Sequence, residues 1–331
     1  MNTKALYPLK FYPILKQAPW GGERIVPFKH IVSDLSHVGE SWEISNVPGN
    51  ESVVSNGDYA EKTITQLIDL FKERLVGNKI YQQHGNNFPL LIKFIDAKQD
   101  LSIQVHPDDQ LAQKRNSANG KTEMWYIVEA DPHAFLLSGF KKQIDKQEYL
   151  RRAYDGSICE VIQQHPVRKG DCFFVPAGQV HAICANIFLI EIQQTSDITY
   201  RIYDYNRKGI DGKLRQLHIK EAEDAIDFSS HDNKNIDYTF LPDRRNEMVN
   251  CPYFTTSVYQ LTKPFTLPLQ QLDSFVILIA YQGSFILKIN HSDAVQVKAG
   301  ESVLIPAEAD SALISPQDGD CHFLCVHVDE K

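Results

Sequence analysis

The sequence predicts a mainly β protein made of two small antiparallel barrels with a few short helices. Three observations predict it: short apolar runs of strand length recur along the chain, one segment is duplicated, and only one stretch has clear helical periodicity. The runs LLIKFI, LSIQVH, MWYIV, AFLL, CFFVP, FLIEI, FVILIA, SFILKI and SVLIP are rich in branched and aromatic residues and bounded by Gly, Pro, Asn and Asp. Such composition suits pleated, half-buried strands. The helix is read from TITQLIDLFKERLVG, where Ile64, Leu67, Ile68, Phe71 and Leu75 share a face, Thr63 and Gln66 form a capping box, and Gly77 ends the run.

The duplication sets the organisation. VRKGDCFFVPAGQVHAI at 167–183 aligns without gaps with VKAGESVLIPAEADSALI beginning at Val297. Each copy holds a turn glycine (Gly170, Gly300), an acidic residue (Asp171, Glu301), an apolar strand and a Pro-Ala pair (Pro176-Ala177, Pro306-Ala307). Two copies of one module are implied. The polar stretch SSHDNKNIDYTFLPDRRNE separates them, so residues 1–240 are expected to form one domain and 241–331 a second.

This G-(D/E)-x-x-x-(V/I)-P-A segment resembles the second signature of the cupin superfamily, small jelly-roll barrels. A metal-binding histidine commonly follows the Pro-Ala pair in that signature. The first copy has His181 there and the second has Ser311. One barrel is therefore expected to carry chemistry, and the other to lack metal ligands and serve structure.

Composition narrows the function classes. A chain of 331 residues exceeds the usual single domain. A net charge of -8 argues against tight nucleic-acid binding, which is cation-driven, but leaves room for a small anionic substrate. No run reaches the roughly 20 apolar residues of a membrane helix, and the N-terminus carries no secretory pattern, so a cytoplasmic protein is expected. The six cysteines form no CxxC pair and read as buried thiols.

Alternation in LSIQVH puts Ser102, Gln104 and His106 on one face of a strand, and alternation in KTEMWYIV puts Glu123 beside Trp125 and Ile127. A carboxylate among large apolar residues suggests an interior site. With His181 this gives two imidazoles and a carboxylate from three strands, and Gln104 as a fourth donor. A nitrogen and oxygen set without thiolate fits one catalytic Zn²⁺ per chain that keeps an open position. The other ten histidines read as hydrogen-bonded or surface residues.

In order, PLLIKFIDAKQDLSIQVHPDD, GKTEMWYIV, VPAGQVHAI and EIQQTSDITYRIYDYNR resemble the motifs of type I mannose-6-phosphate isomerases, in their short bacterial form. The resemblance covers most of residues 10–215 and more weakly the C-terminal barrel. It implies reversible interconversion of mannose 6-phosphate and fructose 6-phosphate through a metal-stabilised cis-enediolate. It puts the metal ligands on Gln104, His106, Glu123 and His181, the active-site arginine on Arg201, an acidic position on Glu191 and a lysine on Lys121. Glu191 would then shuttle the proton, with Lys121 as the alternative carrier. Arg207 and Ser102 are candidates to hold the phosphate, Lys93 to line the pocket and Trp20 to stand near the substrate entrance. A solvated loop arginine and a packed core tryptophan are the plain readings of Arg207 and Trp20. Two departures stand out: the helical domain of longer members is missing, and their Lys-Pro-Glu reads Lys-Thr-Glu here. A non-catalytic sugar-phosphate-binding cupin and another cupin sugar-phosphate isomerase are the alternatives, and the oligomeric state, monomer or homodimer, is left open.

Overall fold

A computed structural model describes residues 5–229, 235–290 and 292–328. In the N-terminal half, two antiparallel sheets pack face to face. One has six strands, in the order Cys172–Val175, Glu123–Ala130, Ile187–Gln194, Leu90–Ala97, Ile14–Gly22 and Val38–Ile44. The other has five, in the order Ile162–Pro166, Phe135–Phe140, His181–Ile183, Ile103–Val105 and Tyr200–Tyr203. Ile95, Trp125, Ile127, Phe173 and Leu189 of the first sheet share a core with Leu136 and Ile183 of the second.

The strands Leu90–Ala97 and Ile187–Gln194 are buried at every position. Their alternate residues explain why they read as unbroken apolar runs. Ile95 and Leu189 face the core between the two sheets, whereas Ile92, Phe94, Phe188 and Ile190 face a second core shared with Ile277, Ile279, Leu304, Leu324 and Val326 of the C-terminal half. The six-stranded sheet is thus sandwiched between its own partner sheet and the second barrel. Tyr126 Oη and Tyr281 Oη meet across this junction at 2.9 Å.

The C-terminal half is one eight-stranded sheet in which Val276–Ile289 and Ser311–His327, 14 and 17 residues long, form the central pair. Register shifts near residues 280–284 bend this pair, and the sheet encloses an apolar interior including Tyr259, Leu278, Phe285, Val303, Ile305 and Phe323. Leu9–Lys10, from the other end of the chain, adds to this sheet beside Ser302–Ile305.

The duplication is visible in space. Gly170 and Gly300 have φ of 91° and 86°, and their N–H groups donate to Ile127 O and Ala280 O at 2.9 and 2.8 Å. His181 and Ser311 each begin the strand after the Pro-Ala turn.

The helix expected over residues 64–76 is broken. The capping box forms, but the helix spans Ile64–Phe71, Lys72 turns at φ 50°, and Glu73–Val76 makes a separate turn. The reason is tertiary: Leu75 O and Arg74 O accept from Ala307 and Glu308 of the second barrel, and Arg74 pairs with Glu308. Lys146–Asp155, outside the one stretch read as helical, is also a helix, capped by Asp145 and ended by Gly156. Shorter helices occur at Asn78–His84, Asp109–Asn116 and Ile219–Ala225. Among the described residues no helix is long and apolar enough to cross a membrane.

Candidate metal centre and active site

The alternation read from the sequence is realised. Ile103 and Val105 face the apolar layer under the helices, with Tyr149 and Ile158. Gln104 projects the other way, and His106 follows one residue past the strand. Across the five-stranded sheet, Gln104 sits opposite His181 on one side and opposite Arg201 on the other. Directly opposed residues share a face, so three polar side chains form one row. In the facing sheet, Glu191 sits opposite Trp125 and Lys93, and Lys93 opposite Trp42. Glu123 opens the strand that carries Trp125.

Three of these residues converge. His106, Glu123 and His181 are buried, at 1%, 0% and 1% exposure, and offer ligand atoms that all lie within 4.8 Å of one another. His106 Nε2 is 3.6 Å from Glu123 Oε2, and His181 Nε2 is 3.4 Å from Glu123 Oε1. Backbone carbonyls choose the tautomers: His106 Nδ1 lies 2.8 Å from Ile198 O and His181 Nδ1 lies 2.8 Å from Gln179 O. A carbonyl only accepts, so each Nδ1 carries the proton and each Nε2 presents a lone pair to the cluster. Neither Glu123 oxygen makes a well-aligned hydrogen bond, although Lys121 Nζ lies 2.8 Å from Oε2 as an ion pair.

Two imidazole lone pairs and a carboxylate, all buried, with no aligned donor on either carboxylate oxygen among the described residues, fit a divalent cation. Burial pushes both histidines down, His181 to about 4, so they stay neutral ligands. Burial and the neighbouring Glu191 push the Glu123 carboxyl up. Gln104 presents its amide nitrogen to His181 Nε2 at 3.2 Å, and the reversed amide would present oxygen instead. Ser102, also buried, reaches Gln104 Oε1 at 3.4 Å.

A charged cluster borders these ligands. Lys121 Nζ lies 3.1 Å from His106 Nε2 and 3.9 Å from Glu191 Oε1. Glu191 Oε1 is 3.0 Å from Lys93 Nζ, and Oε2 accepts from Trp125 Nε1 at 2.9 Å. Lys93 also reaches Glu40 at 3.4 Å and lies over the Trp42 ring. Arg201 donates from Nη1 to Gln216 O at 3.0 Å. Arg207 is tied to Asp204 and to Asp100 O rather than loose in solvent. Trp20 joins the apolar core between the sheets, at 4% exposure.

Sequence reasoning passed over Glu40, Trp42, Asp204 and Arg215. Glu40 and Trp42 are on the strand beside Lys93, a pairing that no local pattern announces. Among the other histidines, His165 contacts Ser138 O and His322 pairs with Asp320, whereas His231 and His291 lie outside the described residues.

Two packed antiparallel sheets followed by a bent eight-stranded antiparallel sheet, with an imidazole, imidazole and carboxylate centre in the first half alone among the described residues, define a two-barrel cupin with a candidate metal centre. The chain belongs to the type I phosphomannose isomerase family. Residues 9–138 match "Phosphomannose isomerase type I, catalytic domain", and residues 244–328 match "Mannose-6-phosphate isomerase, cupin domain". The chain is 35% identical over 279 residues to the mannose-6-phosphate isomerase ManA of Bacillus subtilis, covering 83% of this chain and 86% of that one. It is 33% identical over 279 residues to the mannose-6-phosphate isomerase of Streptococcus mutans, covering 83% and 85%. The crystal structure of a mannose 6-phosphate isomerase from Bacillus subtilis superimposes with a TM-score of 0.88 at 29% identity, over 98% of this chain and all of that one.

Proposed function

We propose that this chain is a cytoplasmic, metal-dependent aldose-ketose isomerase that interconverts mannose 6-phosphate and fructose 6-phosphate. The observation that carries the reading is the convergence of His106, Glu123 and His181 beside Lys121 and Glu191. One zinc per chain would be held by those three ligands, with Gln104 as a further donor, and when bound it supplies Lewis-acid polarisation of the sugar's carbonyl and hydroxyl oxygens.

The protein's own groups supply the rest. The reaction moves a proton between C1 and C2 through a cis-enediolate, so one side chain must take and return it. Lys121 and Glu191 are the two candidates. Lys93 and Trp125 already hold both Glu191 oxygens, which favours Lys121 as the carrier and Glu191 as the carboxylate that positions it. Arg201 faces the same space from the neighbouring strand, opposite Gln104, and would stabilise the developing oxyanion with a charge that does not titrate near neutrality. Arg207 and Ser102 would bind the phosphate end, and Lys93 would form the buried floor. Residues 1–240 carry this chemistry, and 241–331 serve as a supporting barrel with Ser311 in the position of His181.

A coupled assay on the zinc-loaded protein tests the reading. Turnover of mannose 6-phosphate to fructose 6-phosphate is expected, and no turnover with metal bound would reject it.

A further inference from the structure

Beyond the strand Tyr200–Tyr203 the chain doubles back on itself. Lys208 bridges to Leu214, Gly209 N–H donates to Lys213 O at 2.7 Å, and Gly212 supplies the turn at φ 76°. The returning segment lies against Arg201, whose N–H donates to His218 Nδ1 at 3.2 Å and whose O accepts from His218 N–H at 2.7 Å. This loop returns Arg215 to Asp204.

Asp204 is buried and takes a two-pronged pairing from Arg215: Nε to Oδ2 at 2.6 Å and Nη2 to Oδ1 at 2.5 Å. Arg207 shares the same carboxylate, with Nη2 on Oδ1 at 2.6 Å, and its Nη1 donates to Asp100 O at 2.6 Å. The Asp100 carboxyl is engaged by Ala185 N–H. Burial and the nearby Arg215 also hold Arg201 below its ordinary value. Arg207 and Arg215 thus share one carboxylate, with Arg201 within their electrostatic reach, so the guanidinium charges outnumber that of Asp204. The buried Nε atoms of Arg201 and Arg207 have no hydrogen-bond partner among the described residues. A cationic cluster with unsatisfied donors is suited to an anion, and a phosphate monoester carries close to two negative charges at neutral pH.

We infer that Arg215 is a positioning residue for the substrate's phosphate: through Asp204 it fixes Arg207 and, with Arg201, completes a dianion-balancing cluster beside the metal-bearing strand. The inference rests on the proposed sugar-phosphate reaction. Arg201 stands between the two ends of the site, opposite Gln104 in the sheet and within the field of Arg215 and Arg207. A substrate could therefore lay its reacting carbons near the histidines and its phosphate near the arginines. The pairing with Asp204 demands a planar fork, which lysine cannot supply.

The test is steady-state kinetics of the zinc-loaded full chain, with inorganic phosphate as a competitive inhibitor, together with calorimetric titration of inorganic phosphate. Arg215→Ala is expected to raise KM and the phosphate inhibition constant together by about tenfold while kcat stays within about threefold, and Arg215→Lys to recover less than half of that loss. A mere loop staple would lower the melting temperature and leave phosphate inhibition unchanged, and that result overturns the inference, as does a fall in kcat alone. Should Arg215→Ala not fold, the same paired rise in Arg215→Lys supports the inference, and unchanged constants there overturn it. If the wild type turns over no sugar phosphate, the function reading fails separately. Phosphate binding that is weakened in the Arg215 variants then sustains the inference, and binding that is absent or unaffected defeats it.

Discussion

Lys93 and Glu191 face each other across paired strands with Nζ 3.0 Å from Oε1, and both side chains are shut away from solvent. Burial alone would raise the carboxyl, but Lys121 and Lys93 hold it well below its ordinary value. Burial would likewise lower the ammonium, yet Glu191 and Glu40 outweigh it and raise Lys93. Lys93→Met leaves Glu191 only Lys121, 3.9 Å away, so at pH 7 it is expected to destabilise by less than the about 3–5 kcal/mol of a fully unpaired buried charge. The sign with pH follows from linkage. A depressed carboxyl contributes stability above its unfolded value of about 4.3 and loses it as the pH falls further. Urea unfolding curves of wild type and Lys93→Met should therefore differ most at neutral pH, begin to converge below about pH 4.3 and meet toward about pH 2. A constant gap across that range would show that the pair is not what stabilises the ionised carboxyl.

The carbonyls of Ile198 and Gln179 present His106 and His181 as ligands before any metal arrives. What remains is the charge of Glu123. Glu123→Gln preserves its size and removes that charge, so metal affinity should fall by more than the roughly 10–100-fold that losing an outer hydrogen-bonding partner costs. Metal content after dialysis against a competing chelator, read by mass spectrometry, checks this. Retention of a full complement of zinc would mean that the ion is held elsewhere.

How far the sequence shows this site depends on the kind of relation involved. Glu123 and Trp125 share a face because strands alternate, and Gly170 and Gly300 are matched because the module is duplicated, so both are legible locally. The break at Lys72 is not, because it depends on Leu75 O and Arg74 O reaching Ala307 and Glu308, more than two hundred residues away. The helix Lys146–Asp155 did have a signal in Asp145, Glu148 and Gly156, a cap, an acidic first turn and a left-handed stop, but its polar composition hid it. Arg215 lies in a loop without periodicity, and only the fold brings it to Asp204.

The role proposed for Arg201 can be tested apart from metal binding. The Arg201 backbone is fixed by the strand opposite Gln104 and by His218, while among the described residues its side chain donates to Gln216 O. Arg201→Ala should therefore leave the sheet and the bound zinc intact. Losing a cation aimed at a developing oxyanion costs about 10²–10³ in kcat, and that fall at unchanged metal content is the expected result. Full activity in a zinc-loaded Arg201→Ala protein would remove the residue from the reaction.

The two repeated glycines make a test of the barrel junction that is independent of chemistry. Both adopt positive φ, so alanine at either is expected to lose about 1–2 kcal/mol from backbone strain. Their surroundings differ. A Cβ on Gly170 would find its nearest neighbour, Tyr238 Oη, at 3.7 Å, whereas a Cβ on Gly300 would meet Phe28 O at 2.6 Å. Beside that contact Lys29 Nζ, buried and paired with both oxygens of Glu43, donates to Gly300 O. The turn of the second barrel thus seats directly on the Ile25–Phe28 helix of the first half. Gly300→Ala must push that seat apart and loosen the buried ion pair, so it should lower the melting temperature distinctly more than Gly170→Ala. Equal shifts in the two variants would mean that the junction yields freely and that the second barrel is not held to the first through this turn.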